Sequence, residues 1–244
     1  STGKQEAYNV LDKLNVELTS KARIWNSSTK KWSTDYHPTN NIASIVLMLL
    51  QHDCRGKKIV SDERIDLESF GRFYEFCEKK KLYCNGAVSK ESKTIDILNE
   101  LLVIGRGIFV LNGNKYAIAI DDVQENPVMV LNSQNILSIS HSKAFEEKID
   151  GYQATFVNAL NDYQEDEIIV ADADLSDENT TLERVTVNYV TDPAQVQKYL
   201  YYKLANRRLR NEKSQIRLSV DGYLIEVGNL VLVQEESLSV GIGQ

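Results

Sequence analysis

Proline is scarce in these 244 residues: there are three, alongside twelve glycines. That scarcity argues against a linker-like or disordered chain, because such chains are rich in both. Cysteine is also sparse. Cys54, Cys77 and Cys84 are odd in number and fit no paired C-x-x-C spacing, so neither a disulfide framework nor a zinc site is expected. The plain reading is reduced, structural thiols in a cytoplasmic product. Long apolar runs are missing too. The longest, Ile42 to Leu50, is about half the roughly 18–20 residues a membrane span needs, so a buried helix is expected there. The start STGKQEAYNV has no basic residues followed by an apolar stretch, so no signal peptide is expected. Net positive charge is lacking as well. The balance is −7, which disfavours general nucleic-acid binding because phosphates repel an acidic chain.

What is present is an ordinary globular composition, 42% apolar, long enough for one large or two smaller domains. The patterning predicts an α+β chain in three parts. Residues 1–35 read as short strands, with Trp25 and Trp32 bracketing the polar turn Asn26–Thr29. Residues 36–145 read as a three-helix α/β region. Its first helix runs from Ile42 to about Gln51, capped by Asn40 or Asn41. Asp66 caps the second, whose stripe is Leu67, Phe70, Phe73, Tyr74 and Cys77. The third spans about Thr94 to Ile104, with Ile95, Leu98, Leu101 and Leu102 as its stripe and Gly105 and Gly107 as its stop. A hairpin over 108–120 follows, turning at Asn112–Gly113 as a type I′ turn, and strands near 128–131 and 136–140 are expected to add to that small sheet.

Residues 146–244 read as β-rich with one long helix. Nine acidic residues and no basic one fall between Asp162 and Glu183. Thr191–Asp192–Pro193 then starts a helix over about 193–209: Asp192 at the cap, Pro193 at the first position, and Gln195 completing a capping box. Val196, Leu200, Lys203 and Leu204 trace one side of it, with Tyr199, Tyr201 and Tyr202 widening that side. Arg207, Arg208 and Arg210 crowd its end, where dipole complementarity and pairing to the acidic segment account for them better than phosphate contacts do.

The reactive residues form no recognisable set. His37, His52 and His141 sit in no metal or hydrolase motif. His52–Asp53–Cys54 are sequence neighbours at a helix end and point in different directions, which is poor triad geometry. Asp172, Asp174 and Asp177 suggest a calcium loop, but Asp177 stands where an EF-hand needs glycine. Glu165 and Glu167 could serve as paired carboxylates of a glycosidase, but acidic pairs are common here.

The order of parts is more telling than any single residue. Asn161 to Glu167, holding Tyr163–Gln164–Glu165–Asp166–Glu167 and followed by Ile168–Ile169–Val170, resembles the N-x-x-x-x-Y-Q-E-D-E run of the tail tip attachment protein J family of long, non-contractile-tailed phages and related prophages. Asp172 to Thr180 is similar to its acidic loop, with Asn179–Thr180–Thr181 resembling the N-A-T-like triplet that follows. Val190–Thr191–Asp192–Pro193–Ala194–Gln195 is similar to its V-T-D-P-x-Q helix start, and Tyr202, Leu204–Ala205 and Arg207–Leu209–Arg210 to the helix body and end. Leu218–Asp221 and Gly228–Val231 resemble its closing hairpin, although the family usually has Gly-Asp where this chain has Gly228–Asn229. Upstream, Ile65–Phe70, Cys77, Asp96–Leu98 and Gly105–Arg106 follow its helical region, so the resemblance covers about residues 35–244.

The resemblance implies a barrel-like hub region with a helical α/β insertion, in a chain shorter than the family's usual members. It implies a structural role in the virion tail: a homotrimeric hub, assembled in the bacterial cytoplasm with other tail-tip and tail-tube proteins. Such a hub closes the tail tube and supports host attachment and DNA passage. No cofactor, metal, catalytic residue or specific nucleic-acid partner is expected. A tail-associated cell-wall hydrolase and a nucleic-acid-binding module are the alternatives.

Overall fold

The computed structural model describes residues 18–52, 56–88, 92–143, 149–172 and 180–234. Four short strands lead: β1 (Lys21–Ala22), β2 (Trp25–Asn26), β3 (Lys31–Trp32) and β4 (His37–Pro38). β1 pairs with β4, and β2 with β3 across the polar turn. The Asn26 side chain accepts hydrogen bonds from the Ser28 and Thr29 N–H groups, fixing that turn. Trp25 lies opposite Trp32 with ring centroids 5.7 Å apart.

Helix α1 (Ile42–Gln51) begins where Asn41 accepts a bond from the Ala43 N–H at 2.9 Å. Helix α2 (Leu67–Lys80) begins where the Asp66 carboxylate accepts from the Glu68 and Ser69 N–H groups, and it ends at Lys81 in the left-handed conformation (φ 56). Phe70, Phe73, Phe76 and Cys77 form its buried face. Both indoles lie on this helix. Trp25 Nε1 donates to Glu75 at 2.8 Å, and Trp32 Nε1 donates to the Leu67 carbonyl at 2.9 Å. Gly71 makes room for the ring, since a Cβ there would stand 2.5 Å from Trp25.

Helix α3 (Thr94–Ile104) buries Leu98, Leu101, Leu102 and Ile104, but Ile95, expected in its stripe, is exposed. The glycine after it is not there for backbone freedom. Gly105 has φ −81, and it is Arg106 that takes the left-handed conformation (φ 58). A side chain at Gly105 would strike Phe73, with a Cβ 2.5 Å from its ring tip. Close packing, not helix termination, excludes larger residues at that position.

Strands β5 (Gly107–Asn112) and β6 (Lys115–Ile120) form the expected hairpin with its turn moved on by one residue. Asn112 pairs with Lys115, so Gly113–Asn114 is the loop. Only Gly113 has positive φ, the pattern of a type II′ turn rather than type I′.

Next come β7 (Met129–Leu131), β8 (Ile136–Lys143), β9 (Gly151–Asn158), β10 (Gln164–Ala171), β11 (Leu182–Thr186), helix α4 (Pro193–Leu209), β12 (Glu212–Leu218) and β13 (Val231–Val233). β7 and β8 do not extend the β5–β6 hairpin. β7 runs parallel to β13, and β8 runs antiparallel to β12. The closing hairpin therefore does not form either: its two strands pair elsewhere, and Val220–Leu224 between them is a 3₁₀ turn. β9 is the centre of a three-stranded sheet, antiparallel to β10 and parallel to β11. The class is α+β. The described strands make ladders of two or three strands and no closed barrel, which would require every strand to be paired on both sides.

One buried cluster joins the tryptophans and α1–α3 to Tyr152, Phe156, Val196, Leu200 and Leu204 of the β9–α4 layer. Among the described residues no helix is long and apolar enough to cross a membrane.

Candidate assembly site at helix α4

Part of the family resemblance, the Thr191–Pro193 start and the Arg207 and Arg210 end, lies at the two ends of α4. The helix has 17 residues, so its ends are separated by about 25 Å at ~1.5 Å per residue.

At the N-terminal end Pro193 occupies the first turn, and the Asp192 carboxylate accepts the Ala194 N–H at 2.9 Å. Gln195 does not complete a capping box. Its side chain is buried and turns to the segment after α2, accepting from the Tyr83 N–H at 3.1 Å and donating to the Tyr83 carbonyl at 2.8 Å. The amide thus imitates one rung of a β-ladder across 112 residues of sequence. Neighbouring bonds reinforce the join: Cys84 N–H to the Asn40 carbonyl, and Asn85 N–H to the Tyr189 carbonyl, both 2.8 Å.

The Thr191 carbonyl accepts the Ala159 N–H at 3.0 Å, which ties the helix start to the β9–β10 turn. Asp162 and Tyr163 are consecutive left-handed residues in that turn (φ 48 and 56), and Tyr163 stands out half-exposed. Asn158 holds the turn from inside. Its Oδ1 accepts from the Leu160 N–H and its Nδ2 donates to Asp166 at 2.8 Å. The Asn158 amide, followed by the Glu167 N–H, holds the Asp166 carboxyl below its ordinary value. Gln164 donates to the Asp162 carbonyl at 3.4 Å, Glu167 accepts from Gln153 at 2.7 Å, and Glu165 is exposed. Asn158 was legible in principle: it precedes Tyr163 by five residues, the spacing of the first asparagine in the N-x-x-x-x-Y pattern.

The C-terminal end is ionic. Arg207 bonds Glu183 at 2.5 Å and also meets Tyr152, and Arg208 pairs with Asp172. Lys203 lies 4.5 Å over the Tyr152 ring and 3.7 Å from Glu183. Arg210 reaches outside the acidic segment and grips Asp121 with both guanidinium arms at 2.7 Å. Tyr202 donates to the same carboxylate, and the Arg106 guanidinium sits 4.3 Å over the Tyr202 ring. The Arg210 bonds, helped by Tyr202, hold the Asp121 carboxyl below the usual carboxylate range. Burial, then the bond to Asp121, pushes the Tyr202 hydroxyl up. The Asp121 partnership was invisible in sequence, because nothing local ties a residue after β6 to the end of α4.

Among the described residues, Cys77, Cys84 and His141 are held in structural surroundings. Burial pushes the Cys84 thiol up to about 12, and that of Cys77 also upward, the reverse of what a nucleophilic thiol needs. His141 Nδ1 lies 2.8 Å from Ser214 Oγ, with Glu212 3.5 Å from Nε2. These side chains are exposed cross-strand neighbours on a two-stranded ladder, and Glu212 also pairs with Lys143 at 3.2 Å. Among the described residues no three or more His, Cys, Asp or Glu side chains gather as a metal site. Asp53, Cys54, Asp174 and Asp177 lie outside the described residues.

No protein-family model matches this chain, and no curated protein matches it. Two solved structures are similar to it in part. The tail protein from Neisseria meningitidis MC58 is 18% identical, over 64% of this chain and 48% of that one, with a TM-score of 0.46. The 43 kDa tail protein of prophage MuSo2 from Shewanella oneidensis is 12% identical, over 66% and 52%, with a TM-score of 0.39. The chain thus spans about half the length of each of these two proteins.

Proposed function

We propose that this chain is a structural component of a phage or prophage tail tip, part of the hub that closes the distal end of the tail tube. In this reading it supports host attachment and DNA passage without catalysing a reaction. It acts through contacts with other tail-tip and tail-tube proteins and with its own copies in a homotrimer, and it is carried in the virion tail after assembly in the host cytoplasm. The division into residues 1–35, 36–145 and 146–244 belongs to the same proposal, with 1–35 contributing strands to the hub region, 36–145 as the α/β insertion and 146–244 as the hub domain.

The observation that carries this reading is the convergence of the two sequence stretches that resemble the tail tip family. The Tyr163–Glu167 run follows directly on the turn whose Ala159 N–H bonds the Thr191 carbonyl, so the turn that leads into the run is tied to the Thr191–Pro193 helix start. The arginines of the same resemblance hold the other end by ion pairs. Turn, cap and ion pair are the uses these side chains are put to, and all three fix shape. Shape is what an assembly component supplies to its neighbours.

Immunogold labelling of purified particles with antibody to this chain is the test. Label at the distal tail tip is expected. Particles whose tails never label would refute the reading. Clearing of peptidoglycan by the purified chain in a zymogram would replace it with the hydrolase, and salt-dependent DNA binding would replace it with the nucleic-acid module.

A further inference from the structure

Among the described residues, two strands that each have a hydrogen-bonded neighbour on one side only carry opposite charge. Among the described residues β10 pairs with β9 alone, and it holds Glu165, Asp166 and Glu167. Among the described residues β12 pairs with β8 alone, and it holds Lys213 and Arg217 on one face, while its Glu212 is taken by Lys143. Among the described residues Glu165, Lys213 and Arg217 make no side-chain hydrogen bond or ion pair. The β8–β12 ribbon also has no buried residue on either face. A two-stranded ladder exposed on both faces is marginal in water and gains stability from a further strand.

We propose that β12 of one copy of this chain pairs with β10 of a second copy, joining the two sheets head to tail. Like charges on each strand oppose β10–β10 pairing and β12–β12 pairing, so the unlike pairing is the one they permit. Side-chain alternation fits. In an antiparallel register with Arg217 opposite Glu165, Gln215 falls opposite Glu167, and Lys213 lies diagonal to Glu167 on the same face. The exposed Val157 and Ile169 lie on that face too, beside Glu165 and Glu167, and supply apolar area at the seam. Because the two surfaces differ, each added copy presents a fresh β10 or β12, and the contact closes into a ring when the rotation between copies permits. The contact rests on the proposed assembly of copies around the tail.

Sedimentation velocity on the intact chain tests it, over a range of concentration and salt. The chain is expected to self-associate, more weakly as salt rises, because the charges that steer the contact are exposed. Glu165→Arg and Arg217→Glu are each expected to weaken association about tenfold or more, and the double swap to restore most of it. Both side chains are exposed, so circular dichroism should show folded variants. A chain that stays monomeric at about millimolar concentration and low salt overturns the contact, as does a double swap no tighter than the single ones. A monomeric chain that still labels tail tips overturns the contact alone; an associating chain absent from tails overturns the tail reading alone.

Discussion

Gln195 joins helix α4 to the segment after α2, and removing its amide tests how the fold is held. The side chain is 2% exposed and makes two bonds to the Tyr83 backbone, at 3.1 and 2.8 Å. Gln195→Ala removes both bonds, at ~1 kcal/mol each, and leaves the backbone groups of the half-buried Tyr83 without that partner, so a loss of about 2 kcal/mol is expected. Gln195→Glu is more discriminating. A carboxylate still accepts from the Tyr83 N–H, but its second oxygen then faces the Tyr83 carbonyl with no hydrogen to share. Protonation restores the donor, so the folded state raises this glutamate's pKa above its unfolded value. A raised carboxyl contributes stability that is present at low pH and is lost as pH climbs through the folded pKa. The gap between Gln195→Glu and the parent chain should therefore narrow as pH falls from about 7 towards 5. Urea unfolding followed by tryptophan fluorescence measures both effects. The probe is well placed, because the chain's two tryptophans, Trp25 and Trp32, lie in the N-terminal part, away from the substitution. An unchanged m-value with a shifted midpoint is the expected pattern. A Gln195→Ala cost under about 0.5 kcal/mol, or a Gln195→Glu gap flat with pH, would refute the clamp.

Gly105→Ala should cost about 1–3 kcal/mol, because the new Cβ would stand 2.5 Å from Phe73; Gly113→Ala, with open space around it but φ +58, should cost only ~1 kcal/mol from backbone strain, and thermal unfolding will rank the two. Asp121, held below its ordinary pKa chiefly by Arg210, contributes stability that is present above the unfolded carboxylate value and is lost as pH falls below about 4. Asp121→Asn should accordingly flatten the acid limb of the stability–pH curve, as measured by denaturant titration. Cys77 and Cys84, with thiols pushed up by burial, should resist an aromatic disulfide reagent at pH 8 in the folded chain and react on unfolding, as peptide mapping by mass spectrometry will show.

Of the described helices, α1, α2 and α4 were legible at their starts because their signals are local. Asn41, Asp66 and the Asp192–Pro193 pair each cap a helix through a neighbour two or three residues away, and a short window contains all that is needed. Strand partners were not legible, for the complementary reason. Periodicity marks β7 and β8 as strands, yet nothing in residues 128–143 encodes that their partners are β13 and β12. Gln195 shows the same boundary at one residue. Its position three past the cap fits a capping box, but its amide is claimed by Tyr83, 112 residues upstream, and a buried amide satisfied on both sides outweighs one bond at a helix end.

The candidate site divides along this line. Pairing of the terminal arginines to the acidic segment could be read from charge, and Glu183 and Asp172 bear it out. Arg210 instead grips Asp121, a choice made by tertiary packing. The sequence resemblance lies on the local side of that division. It is a likeness in the order of caps, turns and charged ends, each encoded by adjacent residues. The joins that turn those parts into one fold, Tyr83 to Gln195 and Asp121 to Arg210, carry no short motif. A search for distant relatives should therefore score paired positions such as these together with the Tyr163–Glu167 run, whose side chains serve a turn and an exposed strand.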